Sequence, residues 1–383
     1  GSSDGRPGWS QIGEGVWQMK FNTPALKTVT IQYQVQLNIL SRMSYQPEYV
    51  SYMGDNYGVL DCHALLLSPL NLSTTGKVEV RLSLPPGWSA ITPWDEESPL
   101  SFTADSLEEV TDSVFCIGQF QFAKRQFDGK EIYAINCGAK ESDANLERKA
   151  DIIVLIFKDY IARFGDFPFK KYLAIFAGQT ADKKYIHGSA HGLGFAGPIG
   201  VDYSFIAHEI FHVWNGGILS QFTEYEVWFK EGFTQYYGYI TPYRVGLYSE
   251  ERFLQNLESD YTGYMRRYEA GEDTALSRIK EDLARKESHE QPGSIKTWIM
   301  YKKSALVAAL IDEEIKKRTG GIKSLDDLMR YMFQKFRDKR YSSEDVLRAL
   351  NTVTGQDFTQ FFSSYVYGKA KLPPIAGRSL KAN

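Results

Sequence analysis

The feature that most limits how this chain can fold is a five-residue string, His208-Glu209-Ile210-Phe211-His212, set in a segment of helical periodicity. Histidines at i and i+4 stand about one turn apart on one helix face, so a single metal ion can reach both imidazoles. The glutamate between them projects towards a metal's water and suits the role of general base. A catalytic zinc needs a third protein ligand and keeps one position open. Glu231 follows His212 by nineteen residues, in Trp228-Phe229-Lys230-Glu231-Gly232-Phe233, on the next helical segment. A fold that uses these residues must return the second helix against the first and bring His208, His212 and Glu231 to one zinc ion. The competing reading is a chance match with histidines packed in a core. Against it stand the helical setting, the spaced glutamate, and the fall of four of the six histidines within His187–His212.

The chain changes character along its length. From about Val16 to Tyr133 it reads as β, with period-two alternation over Thr28–Leu40, Lys77–Leu84 and Val114–Phe122. Gly, Pro, Asn and Ser clusters separate these runs, a pattern that predicts a sandwich or open barrel. From Ser142 the spacing becomes helical. Helices are expected over Leu146–Phe164, Asp202–Trp214, Val227–Tyr239, Ser249–Arg267, Lys296–Arg318, Ser324–Phe336, Ser343–Leu350 and Asp357–Tyr367. Ser343 and Asp345 are the expected caps of one of them. Lys171–Ala177 reads as a buried strand, and His187–Gly200 as a Gly-rich loop or irregular edge strand. The tail after Gly368, with Pro373-Pro374, reads as a terminus or linker. The expected class is a multidomain α+β fold. A β-sandwich-like part over 1–140 precedes an α/β catalytic part over 141–315 and a helical region over 316–383.

Composition removes other classes. Forty-four basic against 47 acidic residues leave a net charge of −3, with no basic stripe to neutralise phosphates, so no nucleic-acid partner is expected. No apolar run approaches the roughly 18–20 residues that cross a bilayer. Three cysteines, Cys62, Cys116 and Cys137, lack metal-ligand spacing; an odd count is no disulfide framework, and one bridge between Cys116 and Cys137 stays open. The opening Gly-Ser-Ser reads as a cloning remnant that would hide a removed signal peptide, so periplasm, exterior and cytoplasm all stay open.

The zinc motif and its neighbours also carry a resemblance. HExxH with Glu231 after an 18-residue gap resembles the gluzincins, the thermolysin-like zinc metallopeptidases. Phe164–Tyr172 (FGDFPFKKY) resembles the turn before their catalytic core. His208–Gly216 (HEIFHVWNG) and Trp228–Tyr237 (WFKEGFTQYY) look most like the glycyl aminopeptidase family. So do Leu65–Leu70, Leu84–Trp88, Leu107–Phe120, Leu325–Tyr331 and Phe358–Pro374. That resemblance covers most of the chain from about residue 25. It implies a thermolysin-like catalytic domain, one Zn2+ ion on His208, His212 and Glu231, and Glu209 as the base that activates water. It also implies a tyrosine that stabilises the oxyanion, in a Tyr-x-Lys-Gly context some seventy residues after the glutamate ligand. Tyr301-Lys302-Lys303-Ser304 sits seventy residues after Glu231, with Ser304 for the usual glycine. The simpler reading of Tyr301 is one of 24 tyrosines packed in a helix.

Two departures bear on substrate. Aminopeptidases of this kind carry a glutamate for the substrate's α-amine on a Gly-rich strand, in the family as Gly-Gly-Leu-Glu-His. Here the segment is His187-Gly188-Ser189-Ala190-His191, with Ala190 at the glutamate position; Asp182 and Asp202 are alternatives for that role. Gly188, Ser189, Ala190 and His191 are the expected substrate-binding segment, whose glycines would let a substrate backbone pair as an added strand. His187 and His191, four apart, line the cleft or hold a second metal, a reading that Gly188 and Gly192 oppose. Asn215 reads as a helix cap with Gly216, or as a partner of a metal-bound histidine. The family usually ends in a PDZ domain, and this sequence stops near Asn383 without one. The expected function is therefore a zinc metallopeptidase, aminopeptidase-like, acting on a peptide. The alternative is a gluzincin hydrolase or lyase acting on a small molecule. A binding protein with a vestigial site ranks last, because the base and all three ligands are present.

Overall fold

The computed structural model describes residues 8–13, 16–20, 29–38, 48–70, 75–138, 142–167, 169–178, 185–186, 188–190, 193–221, 226–279, 298–337 and 339–375. By compactness the chain divides at Gln36/Leu37. In the first unit, strands Gly8–Gly13 and Val16–Lys20 form an antiparallel hairpin. The strand expected over Thr28–Leu40 does not form among its described residues: 29–38 joins no sheet. Its period-two alternation is real, but Val29, Ile31, Tyr33 and Val35 keep 40–45% of their surface exposed. Alternation announces a sheet face only where a partner strand and a core accept it.

The second unit, from Leu37, is an α+β assembly built around a five-stranded sheet. Its spatial order is Phe120–Phe127, Lys130–Cys137, Lys171–Ala177, Gly194–Pro198 and Gly188–Ala190. The middle pairs are parallel and the two outer ones antiparallel. Lys171–Ala177 is buried on both faces, which explains its near-continuous apolar sequence. Tyr172, Ala174 and Phe176 point into the core shared with the helices. Leu173, Ile175 and Ala177 point into a second core beneath the preceding β region. That region contributes a four-stranded sheet through Val114–Gly118 and a three-stranded one through Ser101–Ser106. The run expected as one strand over Val114–Phe122 is therefore two, broken where Gly118 takes a φ of +100° and passes the chain from one sheet to the other. The five-stranded sheet also draws its first two strands from before residue 140, so the boundary expected there runs through a single sheet. Cys116 and Cys137 are joined, and Cys62 is a buried free thiol.

Helix Asp143–Phe164 crosses between the parallel strands Lys130–Cys137 and Lys171–Ala177, capped by Ser142 and closed at Gly165. The helices that follow it pack on the same core: Tyr203–Phe211, Val227–Arg244, Glu250–Glu269, Ser304–Arg318, Leu325–Lys335, Ser343–Thr354 and Thr359–Tyr365. Ser343 is the first residue of its helix rather than the cap. Ser342 is the cap, in a reciprocal capping box with Asp345. The tail is also more ordered than its prolines suggest. Leu372 is buried, its N–H donates to Tyr264 Oη and its carbonyl accepts from Tyr261 Oη. No helix among the described residues is long and apolar enough to cross a membrane.

Candidate metal centre

Helix Tyr203–Phe211 starts at Asp202, whose carboxylate accepts the Ser204 N–H at 2.9 Å. Two buried tyrosines hold its middle in place: Tyr160 Oη donates to Ala207 O at 2.9 Å, and Tyr172 Oη to Glu209 O at 3.4 Å. His208, Glu209 and His212 are all buried. The helix ends sooner than expected. After His212 the chain enters a π-turn, Val213–Ile218, in which Asn215 and Gly216 leave helical geometry.

That turn determines how His212 presents its ring. Its Nδ1 lies 3.1 Å from Asn215 O, so the proton sits on Nδ1 and Nε2 turns its lone pair towards His208 and Glu231. The Asn215 side chain, fully buried, donates to Phe229 O, Lys230 O and Thr234 Oγ1 at 3.0–3.3 Å. One residue thus orients a histidine through its backbone and grips the start of the Glu231 helix through its amide. The cap reading of Asn215 gives way to the histidine-partner reading, since His212 itself occupies the C-cap position.

Helix Val227–Arg244 brings Glu231 alongside. Two glycines permit the approach. A Cβ on Gly238 would lie 2.8 Å from Ser204 O and 3.2 Å from His208 Cβ, and one on Gly232 would lie 2.1 Å from Ser304 Cβ. His208 Nε2 and His212 Nε2 are 3.1 Å apart, and Glu231 Oε2 lies 3.6 and 3.4 Å from them. A tetrahedral ion with ligands at about 2.0–2.1 Å has donor atoms roughly 3.3 Å apart. Glu231 Oε2 is buried without a hydrogen-bond donor, which is costly for a carboxylate unless a cation meets it. Among the described residues this is the one cluster of three or more His, Cys, Asp or Glu side chains that could hold an ion. The donor set therefore fits zinc.

Electrostatics agree. Burial pushes the His212 imidazole down, which keeps it neutral as a ligand must be. Burial opposes ionisation of Glu231. The Lys230 ammonium, 3.6 Å from Oε1, nevertheless favours the carboxylate, which stays well below the usual range.

Tyr301 lies in a second π-turn, Ile299–Lys303, which leads into helix Ser304–Arg318. Its ring stands 5.7 Å from the His208 ring. The long helix expected over Lys296–Arg318 is helical from Trp298 on, with a π-turn at the tyrosine, and Lys296 lies outside the described residues. Gly188, Ser189 and Ala190 form the outer strand of the five-stranded sheet, paired antiparallel with Gly194–Ala196. His187, His191 and Asp182 lie outside the described residues, and the second-metal reading with them. Not anticipated from sequence were Tyr160 and Tyr172 behind the metal helix, and the contacts of Lys302. Lys303 was marked only as the lysine of the Tyr-x-Lys context, without its buried partners.

Two family models match this chain. Residues 202–365 match the peptidase family M1 domain, a span that includes His208, Glu209, His212, Glu231 and Tyr301. Residues 2–119 match the peptidase M61 N-terminal domain. Together the two matches support a gluzincin peptidase of the M1/M61 type. Comparison with curated proteins finds no match. Among solved structures, the fold is similar to an aminopeptidase N family protein of Idiomarina loihiensis, with a TM-score of 0.77 at 22% identity over 96% of this chain. It is also similar to an M1 zinc metallopeptidase of Deinococcus radiodurans, with a TM-score of 0.59 at 13% identity over 89% of this chain and 75% of that one. A variant of the latter was solved with a Tyr-Ser-Ala substrate; there the TM-score is 0.52 at 14% identity over 78% of this chain. The chain spans 66% of the Idiomarina protein and 64% of that peptide-bound structure.

Proposed function

We propose that this chain is a zinc-dependent metallopeptidase of aminopeptidase-like, glycyl-aminopeptidase-related type. The observation that carries the reading is the closure of the His208–His212–Glu231 triangle beside Glu209 and the Tyr301 ring. One zinc ion there would supply Lewis-acid polarisation of the scissile carbonyl and an acidified water. Glu209 takes the proton from the attacking water and later delivers it to the leaving amine. Tyr301 donates its hydroxyl proton to the developing oxyanion. The outer strand Gly188–Ala190 offers its backbone to an extended peptide.

A second reading is a hydrolase or lyase for a non-peptide small molecule, and Ala190 favours it. An alanine at the amine-recognition position cannot pair with an ammonium group. Digestion of a mixed pool of free and N-acetylated peptides by zinc-loaded protein separates the two. The expected result is stepwise loss of N-terminal residues from free peptides only, reduced roughly 10²–10⁴-fold in Glu209→Gln while zinc is retained. Cleavage of blocked peptides would make the enzyme an endopeptidase. No cleavage by zinc-replete protein would favour the small-molecule reading. Undiminished turnover in Glu209→Gln would remove the role given to that residue.

A further inference from the structure

Resting on the reading of Tyr301 just given, we propose that Lys302 is a positioning residue, which locks the Tyr301 turn onto the helix that carries Glu231. The π-turn Ile299–Lys303 begins at Trp298 and continues into helix Ser304–Arg318, and its side chains reach two further helices. Lys302 reaches Tyr239 Oη at 2.6 Å and Asp260 Oδ1 at 3.5 Å, and its ammonium also stands 5.3 Å from the Tyr239 ring centroid. Tyr239 Oη in turn donates to Asp260 Oδ2 at 2.8 Å. Tyr239 and Asp260 are buried, on helices Val227–Arg244 and Glu250–Glu269 respectively. Tyr239 follows Glu231 by eight residues on one rigid helix, about 12 Å along its axis. The residue after the tyrosine is thus tied to the element that places a metal ligand.

Neighbouring contacts leave the lock one free direction to control. Trp298 packs on Gly263 and under Arg267, which anchors the start of the turn to the same helix as Asp260. Lys303 is fully buried and donates to Asp273 Oδ1 and Thr274 O at 2.6 and 2.7 Å, which anchors its end. Lys302 lies between those anchors and directly follows Tyr301. Losing its contact would leave the ends of the turn in place and let the middle, with the tyrosine, swing. A displacement of about 1 Å at a reacting group is enough to cost up to roughly 10²-fold in rate.

The test is a mutant cycle on the full zinc-loaded chain, using the free peptide that the wild type cleaves fastest, with hydrogen exchange measured on the same proteins. Lys302→Met is expected to lower kcat about 10–100-fold with KM changed less than about twofold. Combined with Tyr301→Phe, it should cost less than about twofold more, because a positioning residue has nothing left to position. In the same Lys302→Met protein, amides 298–304 should exchange at least about tenfold faster than in the wild type while those of Tyr203–Phe211 stay unchanged. Tyr239→Phe, which removes the hydroxyl acceptor, should reproduce a smaller version of both effects. A full Lys302→Met loss surviving in the Tyr301→Phe background, a loss confined to KM, or unchanged exchange at 298–304 would each overturn the proposal. Undiminished kcat in Tyr301→Phe alone would instead overturn the oxyanion role of Tyr301, and the lock with it.

Discussion

At the scale of single residues, the site depends on which atoms are left without partners. Glu231 Oε2 is buried with no donor, and both Nε2 atoms face it across 3.4–3.6 Å. Without a cation this is a carboxylate and two lone pairs crowded in a dry space. Replacement of Glu231 by Gln removes the charge and keeps the shape. Zinc stoichiometry after dialysis against a mild chelator should fall from near one to near zero in that variant, while Glu209→Gln keeps its metal; equal retention in both would mean that Glu231 is no ligand. His208, His212, Glu209 and Glu231 were all legible in the sequence, because i, i+4 spacing and the next helix state their own geometry. Asn215 was legible only as a choice between two roles. Its decisive contact is a backbone carbonyl to His212 Nδ1, and the carbonyl's direction depends on a π-turn that residue types do not announce.

At the scale of elements, the site is a contact between the Tyr203–Phe211 helix, the Val227–Arg244 helix and the Ile299–Lys303 turn. Gly232 and Ser304 meet where the second and third touch, with no room for a methyl group. Gly232→Ala should therefore destabilise the fold by about 1–3 kcal/mol through overpacking and push the tyrosine turn away from the metal helix. The expected outcome is a lower unfolding midpoint in urea together with a reduced kcat; a variant as stable and active as the wild type would show that the two elements have slack. The same elements refine what periodicity gives. The helical pattern over Lys296–Arg318 holds from Trp298 on, but it widens to a π-turn at Tyr301, where Lys302 and Lys303 reach partners outside their own helix.

At the scale of the whole molecule, a buried polar network ties the helices behind the site. Asp326 accepts from Arg163 at 2.9 Å, Arg244 at 3.2 Å and Tyr237 Oη at 2.7 Å, joining helices Asp143–Phe164, Val227–Arg244 and Leu325–Lys335. Burial would raise the Asp326 carboxyl, but Arg244, Tyr237 and Arg163 hold it below the usual carboxylate range. A depressed carboxyl contributes stability that is present above its unfolded value of about 3.9 and lost as pH falls through the folded one. Asp326→Asn leaves Arg244 buried beside a neutral amide and should cost about 3–5 kcal/mol at neutral pH. The gap between variant and wild type in urea unfolding should narrow once pH drops below about 4. A constant gap down to pH 2 would mean that the charge on Asp326 is not what stabilises the network.

Taken alone, the sequence determined what depends on local spacing. That includes the helical string with its two histidines and Glu209, the glutamate on the following helix, the doubly buried strand Lys171–Ala177 and the helical character after Ser142. These follow from periods of 3.6 and 2 and from metal-ligand chemistry, which residue order encodes directly. Tertiary structure decided everything that needs a partner distant in sequence. It left 29–38 outside any sheet in spite of its alternation and joined strands from either side of residue 140 into one sheet. It also packed the Pro373-Pro374 tail against Tyr261 and Tyr264, and placed Tyr301 beside His208. The physical reason is common to all four: burial and hydrogen-bond satisfaction are properties of the surroundings a segment meets, and no window of sequence contains them.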